Sequence, residues 1–361
     1  MESVQIHSFQ LESGSHTLVE RSRSFETKAL GPEEVLIAVA GCGVCHTDVG
    51  FAFDGVAPKH ALPLTLGHEI AGTVVATGPR ATQWMNAAVV VPAVVPCGSC
   101  ALCTSGRATI CRSQIFYGSD CDGGFASHVV ATSRGLCPVD RGRLAAIGLE
   151  LGDLGVVADA VTTPFQAIER AGLAAGELAI FVGAGGVGSF GVQIARARGA
   201  RTVAIDVDPE RLARAKTYGA ELVLNSKEVD ARGLRSAIND FCSKSGASPY
   251  SWKIFETSGN AKGQELAYAL LGFGATLSVV GFTLDKIPLR LSNLMAFDAT
   301  AQGNWGCLPE RYPAALELVL SGTVAVKPFI ERRPMHQINQ TFTELHEGKL
   351  RVRPVLIPDW A

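Results

Sequence analysis

Four cysteines fall within a stretch of fifteen residues: Cys97, Cys100, Cys103 and Cys111, spaced C-x2-C-x2-C-x7-C. Four thiolates can close a tetrahedron around Zn²⁺ with no position left open, which makes such a set structural. Iron–sulfur clusters also use x2 spacings; a second donor set elsewhere in the chain decides for zinc. That set is dispersed: Cys45 in GCGVCHTD, His68 and Glu69 in LGHE, and Asp159 in VVADAVTTP. Three protein ligands with a fourth position open to water or alcohol is the pattern of a catalytic zinc, so about two ions per chain are expected. Taken singly, Cys45 would pass for a buried thiol and His68 for a turn histidine. They gain weight together and beside a nucleotide loop. A zinc ion in such a set polarises an alcohol and prepares it to release hydride to a nicotinamide.

The nucleotide loop lies in LAIFVGAGGVGSFGVQIARARGARTVAID, residues 178–206. Gly183, Gly185 and Gly188 form G-x-G-x-x-G, with Gly186 and Val187 between them, directly after an apolar run and directly before a helical one. The glycines allow a tight turn and let backbone N–H groups approach a pyrophosphate at the positive end of a helix. Three glycines could equally make a turn that binds nothing. Here the strand, the helix and an acid 18 positions beyond Gly188 complete the fingerprint. That acid, Asp206, can accept both adenosine ribose hydroxyls and would repel a 2′-phosphate, so NAD is expected over NADP. Arg211 stands close enough in sequence to assist a phosphate.

These residues need two different scaffolds. From about 35 to 160 the chain reads as all-β, with short apolar runs at 35–40, 70–75, 88–91 and 126–130 punctuated by Gly, Pro and Asp. From about 160 strand-like and helical runs alternate: 179–182, 188–198, 202–205, 209–218 and 221–224, with further strands at 253–255 and 276–280. That alternation is the signature of βαβ units in a parallel sheet. A helix is expected at 309–320, then short strands and turns up to 354–357. The last segment is expected to rejoin the first domain, which gives one domain of residues 1–159 and 307–361 and a second of 160–306.

Composition sets limits. The 361 residues are 47% hydrophobic and 18% charged, which suits two packed cores and leaves no room for extended disorder. A net charge of −2 argues against a nucleic-acid partner that depends on counterion release. The start, MESVQIHSFQ, lacks the basic and apolar regions of a signal peptide, and no run approaches the roughly 20 apolar residues of a membrane span. A cytoplasmic protein with no membrane partner is expected. Ten cysteines in such a chain point to metal rather than to bridges.

GVCHTD at 43–48, GHE at 67–69, the four-cysteine loop, VTT at 161–163, GAGGVG at 183–188 and AIDVD at 204–208 resemble the zinc-dependent medium-chain alcohol dehydrogenases over nearly the whole length. The resemblance implies an α/β protein with a GroES-like β-rich catalytic domain and a doubly wound parallel-sheet Rossmann domain. It implies that Cys45, His68 and Asp159 hold the catalytic zinc and that Glu69 is a second carboxylate able to approach it. Thr47 would hydrogen-bond the substrate oxygen, and His46 would meet the cofactor pyrophosphate. Thr163 and Val187 would back the nicotinamide, and Arg353 would contact phosphate. A homodimer or homotetramer is implied too.

Two positions depart from the family pattern. The third zinc ligand is often cysteine, whereas Asp159 is a harder donor that should raise the metal's Lewis acidity and lability. Several members carry a histidine where this chain has Gly50, so proton relay must run through another group or through water. Further segments, among them FDGVAPKHALPLTLGHEI, VVADAVTTPFQA, VVGFTLDKIPLRLSNLMAFDA and GNWGCLPERYPAALELVL, resemble dehydrogenases of cyclic hydroxyacyl-CoA thioesters. They imply a ring alcohol carried on coenzyme A. A free benzylic or alicyclic alcohol is the rival substrate, and Phe51, Phe53, Phe116 and Trp305 could line an apolar pocket for either, although aromatic residues more often belong to a core. A nucleotide-binding protein without catalysis is the reading from another class; Cys45, Thr47, His68 and Asp159 together argue against it.

Overall fold

The computed structural model describes residues 3–360. The chain forms two compact units. One comprises the chain up to Thr162, Gly306–Gly322 and the segment from Val326 onward; the other comprises Thr163–Trp305 with Thr323–Ala325. The sequence reading put the two crossings at 159/160 and 306/307. The short excursion of 323–325 has a local cause, because the Gln193 side chain accepts from Ala325 N and donates to Ala325 O.

The first unit is built on a seven-stranded sheet, ordered Cys137–Pro138, Ala88–Val91, Glu69–Thr77, Glu34–Gly43, Arg353–Ile357 and Ile330–Pro334, with His128–Thr132 pairing on Glu34–Gly43. The central strand, EVLIAVAGCG, is β-branched and apolar where it meets the core. Its end is the junction of the site, since Gly43 pairs with Glu69 on one side and with Val355 on the other. Val35, Ile37, Cys42, Ile70, Val74, Val89, Phe125, Phe342 and Leu356 fill one apolar cluster behind it. A smaller sheet joins Ser3–Leu11 to Leu18–Glu26 and Leu64–Thr65. The expected helix near 309–320 is a 3-10 turn at Pro309–Arg311 followed by an α-helix at Tyr312–Leu320. Short strands and turns were expected beyond it, yet Ile338–His346 is a helix. It buries Ile338, Thr341, Phe342 and Leu345, an i, i+3, i+4, i+7 stripe.

The second unit is a six-stranded sheet, ordered Leu222–Asn225, Arg201–Asp206, Leu178–Val182, Lys253–Glu256, Thr276–Val279 and Thr300–Gly303. Every pairing in it is parallel. Strand order reverses between Leu178–Val182 and Lys253–Glu256, the place where open α/β sheets bind ligands. Three of the helices start at side-chain caps: Asp208 before Pro209–Thr217, Asp230 before Ala231–Ser245, and Asn260 before Ala261–Ala269. Leu178, Ile180, Val182, Val203, Ile205, Leu234, Ile238 and Ile254 form its core. Among the described residues no helix is long and apolar enough to cross a membrane.

Candidate active site

The first unit gathers the dispersed donors. Cys45 sits at the N-terminus of the helix His46–Phe53, and the buried carboxylate of Asp48 accepts its backbone N–H at 2.9 Å. The other Asp48 oxygen accepts the Gly67 N–H at 3.1 Å and lies 3.4 Å from His68 Nδ1. One acid thus ties the cysteine turn to the histidine turn, while Nε2 of His68 faces Asp159. Gly67 has φ +97°, and a Cβ there would lie 2.8 Å from Cys42 Sγ, so the histidine turn requires glycine. Burial opposes the His68 imidazolium, but the Asp48 charge and the Asp159 hydrogen bond outweigh it and hold this ring well above the usual histidine range.

Asp159 completes the set. Its Oδ2 is 3.7 Å from Cys45 Sγ and 3.7 Å from His68 Nε2, and the three donor atoms lie within 4.8 Å of one another. Tetrahedral zinc, with bonds of about 2.0–2.3 Å, separates its ligands by roughly 3.3–3.8 Å, so the donors fit that ion. Thr47, half-buried, places its hydroxyl 3.6 Å from Cys45 Sγ. His46 is exposed beside it. Phe116 packs edge-on against the His68 ring at 5.2 Å. Phe53 does not line this site: it stacks between His16 and His346, at 5.5 and 4.7 Å. Phe51 packs against the first unit's core, and Trp305 belongs to the second unit.

Glu69 stands outside the donor set. It is fully buried, and its two oxygens accept from Arg353 Nε at 2.7 Å and Nη2 at 2.6 Å. Oε1 also accepts the Ala160 N–H at 3.0 Å. Burial pushes the Glu69 carboxyl up to about 7, against the opposing pull of Arg353. A Cβ on Gly43 would fall 2.0 Å from Glu69 Oε2, so only glycine leaves room for this pair. Arg353, expected to contact phosphate, is instead a 95% buried clamp. Two of its nitrogens are committed to Glu69, and Nη2 also lies 3.7 Å from Asp159 Oδ2. The charge of Glu69 outweighs burial and keeps this guanidinium firmly protonated.

The four-cysteine loop is built from its own turns. Cys100 Sγ lies 3.5 Å from Cys103 and 3.7 Å from Cys111, and Cys97 lies 3.9 Å from Cys103. The spacings match the sulfur–sulfur separation of roughly 3.8 Å around tetrahedral zinc. Backbone N–H groups of Cys97 and Ser113 point at Cys111 Sγ, each at 3.4 Å. Hydrogen bonds from Ser99 and Cys100 hold the Cys97 thiol down to about 6, while burial and the neighbouring sulfurs push Cys103 up to about 12. A dication favours all four as thiolates.

In the second unit, Gly183 has φ +101°, and a Cβ there would lie 2.7 Å from Ser258. A Cβ on Gly188 would lie 1.9 Å from Gly183 O. Gly185 meets only Arg211 Nη1, 3.9 Å from its Cβ position, and Gly185, Gly186 and Val187 are half-exposed, so a phosphate can approach this turn. Asp206 is more engaged than the sequence suggests. It accepts the N–H groups of Ala184 at 2.6 Å, Val207 at 2.8 Å and Asp208 at 2.9 Å, bracing the glycine turn as well as facing it. Thr163 is buried, and its carbonyl accepts from Asn304 Nδ2 at 3.3 Å. Sequence reasoning missed Asp48 and Thr257. The Thr257 hydroxyl donates to Gly183 O at 2.8 Å and fixes the turn from below. Asp48 had a readable signal, an acid three residues after Cys45 at a helix start.

The chain matches the alcohol dehydrogenase GroES-like domain over residues 31–141 and the zinc-binding dehydrogenase family over residues 186–321. An alcohol dehydrogenase of Rhizobium meliloti is 31% identical over 328 residues, covering 90% of this chain and 92% of that protein. One from Geobacillus stearothermophilus is 29% identical over 336 residues, covering 92% and 94%. The crystal structure of galactitol-1-phosphate dehydrogenase from Escherichia coli superposes with a TM-score of 0.86 at 26% identity, covering 98% of this chain and 100% of that one. With its two donor sets and its glycine turn, this chain belongs to the zinc-dependent medium-chain alcohol dehydrogenases, oxidoreductases that act on alcohols with zinc and NAD(P).

Proposed function

We propose that the protein oxidises the ring hydroxyl of 6-hydroxycyclohex-1-ene-1-carbonyl-CoA to the 6-oxo product, with hydride passing to NAD, in anaerobic benzoyl-CoA degradation in the cytoplasm. The observation that carries the reaction class is the three-donor set of Cys45, His68 and Asp159 with Thr47 beside it. Zinc held there supplies a Lewis acid that makes an alcohol proton easier to lose. Thr47 Oγ1 takes the alcohol's proton while passing its own toward solvent, because Gly50 provides no side chain for a relay. A bound nicotinamide would accept the carbon-bound hydrogen with its electron pair, leaving a carbonyl. Asp48 and the Glu69–Arg353 pair hold the donors in place during the transfer. At the glycine turn, Asp206 supports NAD over NADP.

The substrate rests on segments that run beyond the zinc and glycine motifs, at 51–70, 156–168 and 276–320. An allylic alcohol fits the chemistry, because its product is conjugated. The handle fits as well, since coenzyme A supplies binding energy far from the reacting carbon. A free benzylic or alicyclic alcohol is the second reading, supported by the two relatives named simply alcohol dehydrogenase. A homodimer or homotetramer is supported by the exposed Leu284, Leu291 and Met295, which precede the edge strand Thr300–Gly303 in the chain.

The test compares the thioester with its free carboxylic acid, with NAD and with NADP. The thioester with NAD should give kcat/KM higher by at least about tenfold, or about 1.4 kcal/mol of handle binding expressed in the transition state. Equal values for thioester and acid would leave the free-alcohol reading, and better use of NADP would remove the role given to Asp206.

A further inference from the structure

Asp159 follows the buried 3-10 segment Leu151–Ala158 and precedes the helix Thr162–Arg170, so it has no place in a regular hydrogen-bond ladder. Side chains pin its two neighbours instead. On the C-terminal flank, Glu69 Oε1 accepts the Ala160 N–H. On the N-terminal flank, the Ala158 carbonyl accepts from the Thr162 hydroxyl at 3.0 Å and from the hydroxyl of Tyr312, 154 residues further along the chain.

Tyr312 is fully buried at the start of the helix Tyr312–Leu320. Its oxygen accepts the Ala93 N–H at 3.0 Å while its proton goes to Ala158 O. The phenol therefore bridges two backbone segments that no sheet connects. One residue on from that bridge, the Asp159 carboxylate meets Cys45, His68 and Arg353, each at 3.7 Å.

We propose that Tyr312 is a positioning residue for the metal centre: through the Ala158 carbonyl it fixes the backbone from which Asp159 reaches the ion. A carboxylate on a single methylene has little freedom to make up for a shifted backbone, and a ligand must be held to within about 0.5 Å. Tyr312 thereby acquires a role at the metal centre without itself being one of its donors. The inference rests on the reading of Asp159 as a ligand.

The test uses the full-length enzyme with zinc, and again with cobalt exchanged into the dispersed site. Metal release to a chromophoric chelator and the cobalt visible spectrum are recorded for wild type, Tyr312→Phe, Thr162→Val and Asp159→Asn. Tyr312→Phe should release the dispersed-site ion about tenfold faster or more and shift the cobalt bands, while the four-cysteine site keeps its zinc. A lowered Tm with wild-type release and a wild-type spectrum would make Tyr312 a packing residue and overturn the proposal. If Tyr312→Phe does not fold, Thr162→Val carries the test on the same carbonyl: faster release supports the proposal and wild-type release overturns it. Asp159→Asn separates the two claims. Wild-type release in that variant removes Asp159 from the ligand set. Altered release there, beside wild-type release in Tyr312→Phe, removes Tyr312 alone.

Discussion

The two donor sets of the first unit face the same task with opposite means. Cys97, Cys100, Cys103 and Cys111 come from one loop, and the bonds that aim them arise within it. Cys45, His68 and Asp159 come from three turns spread over more than a hundred residues; Asp48, beside Cys45, also reaches His68, and Glu69 pins the backbone next to Asp159. The local set closes around its ion with four soft ligands. The dispersed set contributes three and keeps one side for chemistry, so it must be stiffened by Asp48, Glu69 and Arg353. Closure comes from proximity in sequence, whereas an open site has to borrow its rigidity from the fold.

Stepwise chelation should show the largest contrast. The three-donor site, with its harder carboxylate ligand, should empty first, taking zinc from about two to about one per chain. Turnover should vanish at that point while circular dichroism stays native. Elemental analysis with activity at each chelator concentration follows both ions. Loss of the four-cysteine ion before activity falls, or iron in place of zinc, would reverse the assignment.

Arg353→Met attacks the borrowed rigidity. It leaves Glu69 buried without its cation, and removing one partner of a buried pair costs about 3–5 kcal/mol. Urea unfolding should report that loss, and metal analysis should find the dispersed site depleted and the four-cysteine site full. Adding Glu69→Gln should restore part of the stability, since the uncompensated charge goes with it. Full stability in Arg353→Met would mean that the pair is not part of the framework.

The same contrast sets what the sequence discloses. The four cysteines and the glycine fingerprint are legible because their partners lie within a few residues, and the βαβ alternation around Gly183 follows from local periodicity. Asp159 could be placed only by its distance from VTT. The Glu69–Arg353 pair spans 284 residues, and the Tyr312 bond to Ala158 spans 154, so no pattern in one sequence announces either. The family resemblance puts Arg353 at a phosphate; its burial beside Glu69 is a tertiary fact. The helix Ile338–His346 is a different kind of miss. Its apolar stripe is readable, but the short flanking runs around it read more easily as strands.

If the four-cysteine loop is self-sufficient, a long side chain that reaches it from outside should matter little. Arg134 donates from Nη1 to Cys97 O at 3.0 Å and to Pro96 O at 3.4 Å, and it is exposed. Its bonds compete with water, and surface substitutions away from special features usually fall within about 0.5 kcal/mol. Arg134→Ala should therefore leave the urea midpoint almost unmoved, and the structural ion should leave for a chelator at a rate within about twofold of wild type. The dispersed site, whose donors have no contact with this arginine, should not respond at all. A tenfold faster loss of the four-cysteine ion would show that this loop, too, leans on the fold around it, and the difference between the two sites would then be one of degree.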